Sequence, residues 1–324
     1  MPNPTLFFES SQSITARLGE LFDFFWPAMA GLWNLRWQVS GFATVTNKRE
    51  AKELYAKFVE GSGVTSANLK VSCLETSWDA QRQIFARFLL LELCSLYEGW
   101  IEDVAPRVVS AGKVSRLQKD LQFPTTPGAN VRGLSRAIAT ANSSPSVLMK
   151  TELFPALRAN VKNSWLYRED LLNAYRYFKE IRNTIIHSGG VASQLNVDTY
   201  SRFVTIPISH LYFKKPPVAP LIVLDQPIRL ELSDVVGLSN IVHRLVVTFD
   251  ASLAVSKGAE SDLLRRLQNS YTKRKAKGKL KILNNVDSAR RKRQIIDMLA
   301  SAGVPVPVST SLLDKLIVAN RLGS

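Results

Sequence analysis

Three side chains within six residues, Arg182, Asn183 and His187, form the part of the sequence best suited to chemistry. In a helix, Asn183 and His187 share one face because they are four residues apart, and Arg182 is the neighbour of Asn183. Arg182 falls on the edge of an apolar stripe, where its guanidinium must meet an anion, a partner chain or water, because burying it unpaired is costly. His187 precedes a Gly189-Gly190 break, where an imidazole reaches solvent and exchanges protons near neutral pH. The segment therefore predicts anion binding combined with proton transfer.

The residues before this segment predict the helix that positions it. Between residues 165 and 186, apolar side chains recur at three- and four-residue intervals, the period of an amphipathic helix, and Gly189-Gly190 ends it. The members of this stripe are Tyr167, Leu171, Ala174, Phe178, Ile181 and Ile185. We expect the last two turns of this helix to carry Arg182 and His187.

The rest of the chain is predicted to be mainly helical. Helical periodicity covers residues 13–37 with a kink at Pro27, 47–58 with Asn47 as N-cap, 78–104 ended by Pro106, and 233–254 capped by Ser233. Residues 106–150 contain loop signals around short helices. Short aliphatic runs bounded by proline, at 203–208, 221–224 and 228–232, predict a small β insertion at about 200–232.

The segment around Arg182 resembles the signature of the HEPN superfamily, which is an arginine, a polar residue, three further residues and a histidine at the end of a late helix. Arg182 and His187 match its two fixed positions, and Asn183 matches its favoured polar position. The architecture of the family resembles residues 10–255 of this chain, although the specific match is these six residues and the helix before them. The resemblance implies a mainly α, HEPN-like helical bundle, here with the β insertion and a basic helical C-terminal extension.

This resemblance also implies a function, a metal-independent endoribonuclease without a cofactor. In the family, a two-fold dimer brings both motifs into one cleft. His187 would act as general acid or base on the RNA 2′-hydroxyl or the departing 5′-oxygen, Arg182 would hold the scissile phosphate, and Asn183 would orient the histidine or a phosphate oxygen. The products would carry a 2′,3′-cyclic phosphate and a 5′-hydroxyl. The expected partners are RNA, a second copy of the chain in a homodimer, and an antitoxin or another protein of a toxin–antitoxin or anti-phage defence system.

Many HEPN proteins also carry an acidic residue on an earlier helix, which pairs with the motif arginine. The candidates are Glu98 and Glu102, one turn apart on the long helix, and Glu92 further back, and of these we favour Glu98. Some HEPN toxins carry a tyrosine two residues after the histidine, which a partner nucleotidyltransferase modifies. Position 189 is glycine, so this mode of control is not predicted.

The net charge of +15 favours a polyanionic partner, and most of the excess lies near the C-terminus. Residues 262–296 contain twelve Lys or Arg and two Asp, a net +10. The predicted nucleic-acid-binding residues are Lys273, Arg274, Lys275, Lys277, Lys279, Lys281, Arg290, Arg291, Lys292 and Arg293. Because Tyr271 is the one aromatic residue among them, we expect contacts to the phosphate backbone and not to bases. The chain is therefore divided into a helical domain, 1–255, and a basic extension, 256–324.

Composition excludes several other classes of protein. Two cysteines and three histidines do not supply a disulfide framework or a structural zinc site, so no metal is expected. No segment reads as a bilayer span, and the first ten residues lack the basic region of a signal peptide, so we expect a cytoplasmic protein. His210, in a predicted strand or its flanking loop, and His243, on a helix flank, are interpreted as structural.

Two alternatives to the nuclease remain open. In the first, the same bundle and basic segment bind RNA or DNA, or scaffold a defence complex, without cleavage. Binding would then weaken steeply with salt, and changes at Arg182 or His187 would have little effect. In the second, a HEPN domain senses a nucleotide and is regulated by that small ligand.

Overall fold

The computed structural model describes residues 5–126, 128, 130–276, 288–320 and 322, and these residues form a mainly helical protein. The α-helices in chain order are α1 (Glu9–Thr46), α2 (Ala51–Phe58), α3 (Trp78–Val108), α4 (Ala111–Asp120), α5 (Leu134–Ala141), α6 (Phe154–Arg158), α7 (Arg168–His187), α8 (Gln194–Phe203), α9 (Ile208–Leu211), α10 (Leu232–Leu253), α11 (Lys257–Ala276), α12 (Ser288–Ser301) and α13 (Ser311–Ala319). Short π-helical turns cover Lys70–Glu75 and Met149–Leu153, and a 3₁₀ turn, Trp165–Tyr167, leads into α7.

Helix α10 lies at the centre of the fold. It packs against α1, α3, α5, α6 and α7, and every residue from Leu245 to Leu253 is buried. A helical segment that is buried on all sides must be surrounded by other elements, which explains the position of the C-terminal half of α10. Among the described helices, α10 is also the one whose length and composition would allow it to cross a membrane, and it is mostly buried inside the protein, as a core helix is.

Helices α3 and α7 both pack on α10 and on each other, and this pairing positions the predicted site. The apolar stripe predicted for α7 is confirmed, since Leu171, Ala174, Phe178 and Ile181 are buried. Helix α3 is longer than predicted because it continues through Pro106 to Val108. The proline falls in the last turn, where the loss of one backbone donor affects little of the remaining helix.

Helix α1 is longer than predicted. It has 38 residues in total and continues through Pro27. Its C-terminal part packs with α2 and the following turn around a second, small core, formed by Val39, Leu54, Val59, Leu69 and Cys73. The prediction that Asn47 is the N-cap of α2 is wrong. Asn47 instead ends α1 in the left-handed conformation, with φ of 58°, and Glu50 caps α2. Asparagine suits such a helix end because it tolerates positive φ better than most residues.

The predicted β insertion at about 200–232 is wrong, because no strand forms in that range. Residues 203–208 span the end of α8 and the start of α9, and residues 221–231 are irregular chain that leads into α10. Phe203 is buried with its ring stacked on Tyr177 at a centroid distance of 4.4 Å, so the apolar character of this run serves helix packing. The prolines between residues 207 and 227 lack the backbone donor that a strand ladder requires.

The segment after residue 255 shares the core of the bundle. Helix α11 packs on α3 and α12 packs on α11, and Leu263, Leu299 and Ile317 belong to the same buried cluster as α10. Buried Arg266 connects this region to the start of the chain, since it donates hydrogen bonds of 2.6 Å to the carbonyl oxygens of Phe7 and Gly303. The boundary predicted at 255/256 therefore does not coincide with a break in the core.

Asp250 of α10 holds the start of α1. Its carboxylate accepts hydrogen bonds from the backbone N–H groups of Phe7, at 2.7 Å, and Phe8, at 2.9 Å. Groups ahead of a helix have no partner within the helix itself, so a side chain from elsewhere must satisfy them. Burial raises the pKa of Asp250 to about 6, against the opposing effects of these hydrogen bonds, of Ser11 and of Arg266.

Replacing Asp250 with Asn should remove a pH dependence of stability. The folded protein holds the Asp250 proton up to a pH of about 6, whereas an unfolded Asp holds it only up to about 3.8. The folded state therefore binds more protons between these values, and the wild type should lose about 3 kcal/mol of stability relative to Asp250→Asn as the pH rises through the window. Denaturant unfolding of both proteins at several pH values from about 4 to about 7 measures this difference. A difference that does not change with pH would contradict the prediction.

Candidate active site

The end of α7 places His187 at the last residue of the helix. The N–H groups of Ser188 and Gly190 donate to the carbonyl oxygen of Thr184, at 2.9 and 3.1 Å. Gly189 and Gly190 have φ of 61° and 83°, a left-handed conformation that turns the chain away from the helix axis and favours glycine. As predicted, Gly189-Gly190 ends the helix, and the His187 side chain is exposed.

Asn183 contacts Arg182 and not His187. The Asn183 Oδ1 accepts a hydrogen bond of 3.1 Å from Arg182 Nη1. His187 lies four residues further along α7, and no described residue forms a hydrogen bond with its imidazole. Asn183 is therefore in contact with the guanidinium, whereas the His187 imidazole is exposed.

The Arg182 guanidinium contacts Glu98, and part of the side chain is exposed to solvent. Its Nη2 lies 3.5 Å from Glu98 Oε2, and its side chain retains 22% exposure. The Arg182 Nε is buried and has no hydrogen-bond partner. An arginine offers five N–H donors in a planar fork, so Nη1 and Nη2 each keep a further N–H beside their contacts with Asn183 and Glu98, whereas the buried Nε is out of reach of an entering anion.

Glu98, of the three acidic candidates, is the one that pairs with Arg182. Its Oε1 also lies 2.7 Å from Lys179 Nζ, which in turn contacts the side-chain amide of Gln122. Among the described residues, neither Glu92 nor Glu102 forms an ion pair with Arg182, and Glu102 is exposed to solvent. Glu98 therefore lies between two cations of α7 and compensates the charge of both.

Arg87 is a site residue that the sequence analysis missed. A Cβ atom added at Gly190 would lie 4.0 Å from Arg87 Nη2, so this guanidinium approaches the turn that follows His187. Its Nε is buried without a hydrogen-bond partner, as is that of Arg182. Arg87 precedes Glu98 by eleven residues, about three helical turns, so the two share a face of α3. That spacing was the signal available in the sequence.

Cys94 lies between these groups and is not a nucleophile. The thiol is fully buried, and burial together with Glu98 raises its pKa to about 12, although Arg182 and Lys179 act in the opposite direction. A thiol with such a pKa remains protonated at neutral pH, and the thiolate is the reactive form.

The other two histidines lie at different places in the fold. His210 is in the short helix α9 and not in a strand, where its Nδ1 is 2.7 Å from Asp170 Oδ2 and its ring stacks on Tyr167 at 4.0 Å. Asp170 is in the first turn of α7, and Arg182 comes twelve residues later, about 18 Å along the helix axis. His243 is half-buried on α10, where burial, Lys162 and Arg244 lower its pKa.

The predicted nucleic-acid-binding residues are only partly placed. On α12, Arg290, Lys292 and Arg293 are exposed, whereas Arg291 pairs with Asp314 at 2.7 Å and is half-buried. On α11, Lys273 is exposed. The side chains of Arg274 and Lys275, and the whole of Lys277, Lys279 and Lys281, lie outside the described residues. Within the described ranges, no group of three His, Cys, Asp or Glu side chains is placed to hold a metal ion.

Comparison with known proteins adds no relative. Neither a protein-family model nor a curated protein nor a solved structure matches this chain.

Replacing Glu98 with Gln should destabilise the site, because Lys179 and Arg182 would lose the carboxylate between them. We expect a loss of roughly 1–3 kcal/mol in the free energy of unfolding, measured by denaturant titration. Glu102→Gln is the matched control, because Glu102 is one turn away and exposed, and it should leave stability unchanged. Equal stability of the two variants would show that Glu98 does not compensate these cations.

Proposed function

We propose that this chain is a metal-independent endoribonuclease of the HEPN type, with Arg182 and His187 in its active site. The observation that carries the proposal is the arrangement at the end of α7. An exposed histidine ends the helix, and the motif arginine five residues before it is paired with Glu98 of an earlier helix while its side chain stays partly exposed. This arrangement supplies a group that transfers protons and a group that binds a phosphate.

In the proposed reaction, the RNA 2′-hydroxyl attacks the neighbouring phosphorus, and the bond from phosphorus to the 5′-oxygen breaks. One imidazole accepts the proton of the 2′-hydroxyl, and another group donates a proton to the departing 5′-oxygen. The products are a 2′,3′-cyclic phosphate and a 5′-hydroxyl, so no water is consumed in this step. Arg182 holds the phosphate and offsets the charge that develops on its oxygens.

Arg87 adds a second cation for the same phosphate. Its guanidinium, on α3, approaches Gly190 just after His187, and that of Arg182, on α7, pairs with Glu98 of α3. Glu98 neutralises part of the positive charge of Arg182. Arg87 adds a second positive charge, so the site stays electropositive although Glu98 is present. Arginine suits this role because its planar fork matches the oxygens of a phosphate.

The proposed enzyme is a homodimer. One chain offers one imidazole at the motif, whereas the reaction needs a proton acceptor and a proton donor, and a second copy supplies the missing group. Exposed apolar side chains lie on the segments that carry the motif, where Ile186 is 47% exposed, Val191 43% and Leu195 44%. Apolar side chains of this kind, rimming a polar site, are typical of a surface that a partner covers.

The exposed cations of α12 support RNA as the substrate. Lys292 and Arg293 point to solvent, and one-signed clusters of this kind bind phosphate backbones with strong salt dependence. We place the enzyme in toxin–antitoxin or anti-phage defence systems, where an antitoxin or partner protein would restrain it. The same cations also favour the second candidate function, an RNA-binding protein that does not cleave.

His187→Ala should abolish cleavage without affecting the fold. General acid–base catalysis contributes about 100-fold or more to a rate, so the variant should lose at least that factor. The rate is measured on a defined single-stranded RNA, and thermal unfolding verifies that the variant is folded. Ser188→Ala is the control, because Ser188 is also exposed and adjoins His187. If wild type and His187→Ala bind RNA equally and neither cleaves it, the non-catalytic candidate is favoured.

Ile186→Asp should separate the dimer and inactivate it, because a charge would be placed on the proposed apolar interface. Analytical ultracentrifugation gives the oligomeric state, and the RNA cleavage rate is measured on the same samples. Leu166→Asp is the matched control, since Leu166 is 83% exposed and lies just before the opposite end of α7. A monomeric Ile186→Asp protein with full activity would rule out a composite site.

A further inference from the structure

A groove of about 1100 Å³ runs between α1, α10 and the chain that follows α9. It is separate from the residues around His187, none of which lines it. Its volume is slightly above the range of roughly 300–1,000 Å³ that is typical of pockets for small organic ligands. Its walls combine flat aromatic side chains with a group of cations.

The aromatic side chains of the groove are fixed in place. Phe22 and Trp26 of α1 stack at 5.8 Å with an interplanar angle of 23°, and Trp26 is 45% exposed. On the opposite side, Phe213 lies flat against α10 at Gly237, where an added Cβ would meet its ring at 2.6 Å. Only glycine permits this approach, so the position of Phe213 depends on Gly237. The groove therefore offers preformed flat surfaces.

The groove carries cations that no carboxylate neutralises. Lys162, Lys214, Lys215 and Arg244 line it, and none forms an ion pair with a described residue. Arg244 is held over the ring of Tyr212, 3.4 Å from its centroid, and donates to Ser164 Oγ at 2.9 Å. Its Nε is buried without a hydrogen-bond partner. This guanidinium is thus positioned by its contacts where it lines the groove.

Three carboxylates, Asp23, Glu231 and Asp234, line the groove together with five Lys or Arg side chains, which leaves a net positive charge. Glu231 pairs with Arg82 at 2.9 Å. Asp234 accepts hydrogen bonds from the backbone N–H groups of Val218, at 3.0 Å, and Ala219, at 2.7 Å. The positive charge left over would attract an anion, and the lowered pKa of His243, caused by burial and then by Lys162 and Arg244, is consistent with it.

We propose that this groove binds a nucleoside phosphate. The base would lie against Trp26 and Phe213, and the phosphates would contact Lys214, Lys215 and Arg244. Flat aromatic faces suit a planar base, whereas a flexible acyl chain has no need of them. The groove also has the volume of a pocket for one ligand, which favours a mononucleotide over a polynucleotide strand. This binding site is independent of the proposed ribonuclease activity.

The test is calorimetric titration of the full chain with ATP, adenosine and inorganic tripolyphosphate. ATP should bind at one site per chain, about tenfold or more tighter than either adenosine or tripolyphosphate. Of the three, only ATP has both a base for the aromatic side chains and phosphates for the cations. Lys214→Ala/Lys215→Ala should weaken ATP binding about tenfold and leave adenosine binding unchanged, because both lysines are exposed and contact only the phosphates. Trp26→Ala should weaken both ATP and adenosine.

The matched control is Lys48→Ala/Lys52→Ala, which removes the same charge from exposed residues outside the groove. It should bind ATP as the wild type does. Tripolyphosphate binding as tightly as ATP, or ATP binding that is unaffected by Lys214→Ala/Lys215→Ala, would overturn the proposal. A fatty acid or an RNA oligonucleotide that binds in the groove while ATP does not would overturn it too. None of these readouts uses RNA cleavage, so failure here is distinguishable from failure of the ribonuclease.

Discussion

The burial of Leu245–Leu253, the C-terminal part of α10, on every side is the constraint on which the rest of the fold depends. Because Leu245–Leu253 has no face for solvent, five helices must pack around it, and two of them are α3 and α7. Even its polar side chains are used, since Asp250 holds the start of α1 and Thr248 accepts the N–H of Ser164, just before α7. The same packing that removes α10 from water therefore brings Glu98 next to Arg182.

The chemistry proposed for the site follows from electrostatics at this contact. Glu98 compensates Arg182 and Lys179, which allows two cations of α7 to lie near the buried surface of α3. Arg87, also on α3, approaches the turn at Gly190. A phosphate entering the site would meet positioned donors, while the imidazole stays exposed for proton transfer. Positioned charge of this kind favours a charged transition state because it needs no reorganisation during the reaction.

The sequence predicted the features that depend on local pattern, and it failed where tertiary packing decides. The period of the α7 stripe and the Gly189-Gly190 break placed Arg182 and His187 correctly at a helix end. The aliphatic runs at 203–208 and 221–224 have a composition that fits a strand, but the first lies at the junction of α8 and α9 and the second in irregular chain, so the predicted β insertion is wrong. The choice of Glu98 over Glu102 and the approach of Arg87 depend on the register between α3 and α7, which one sequence does not contain.

The most direct test of the central claim is cleavage of one RNA sequence in two forms, with 2′-hydroxyl groups and with 2′-O-methyl groups, in the presence of a metal chelator. We predict that the dimer binds both forms, cleaves only the first, and leaves 2′,3′-cyclic phosphate and 5′-hydroxyl ends that mass spectrometry identifies. Cleavage of the 2′-O-methyl form, or cleavage that requires an added divalent metal, would contradict the proposed reaction, because that reaction has the 2′-hydroxyl as its nucleophile.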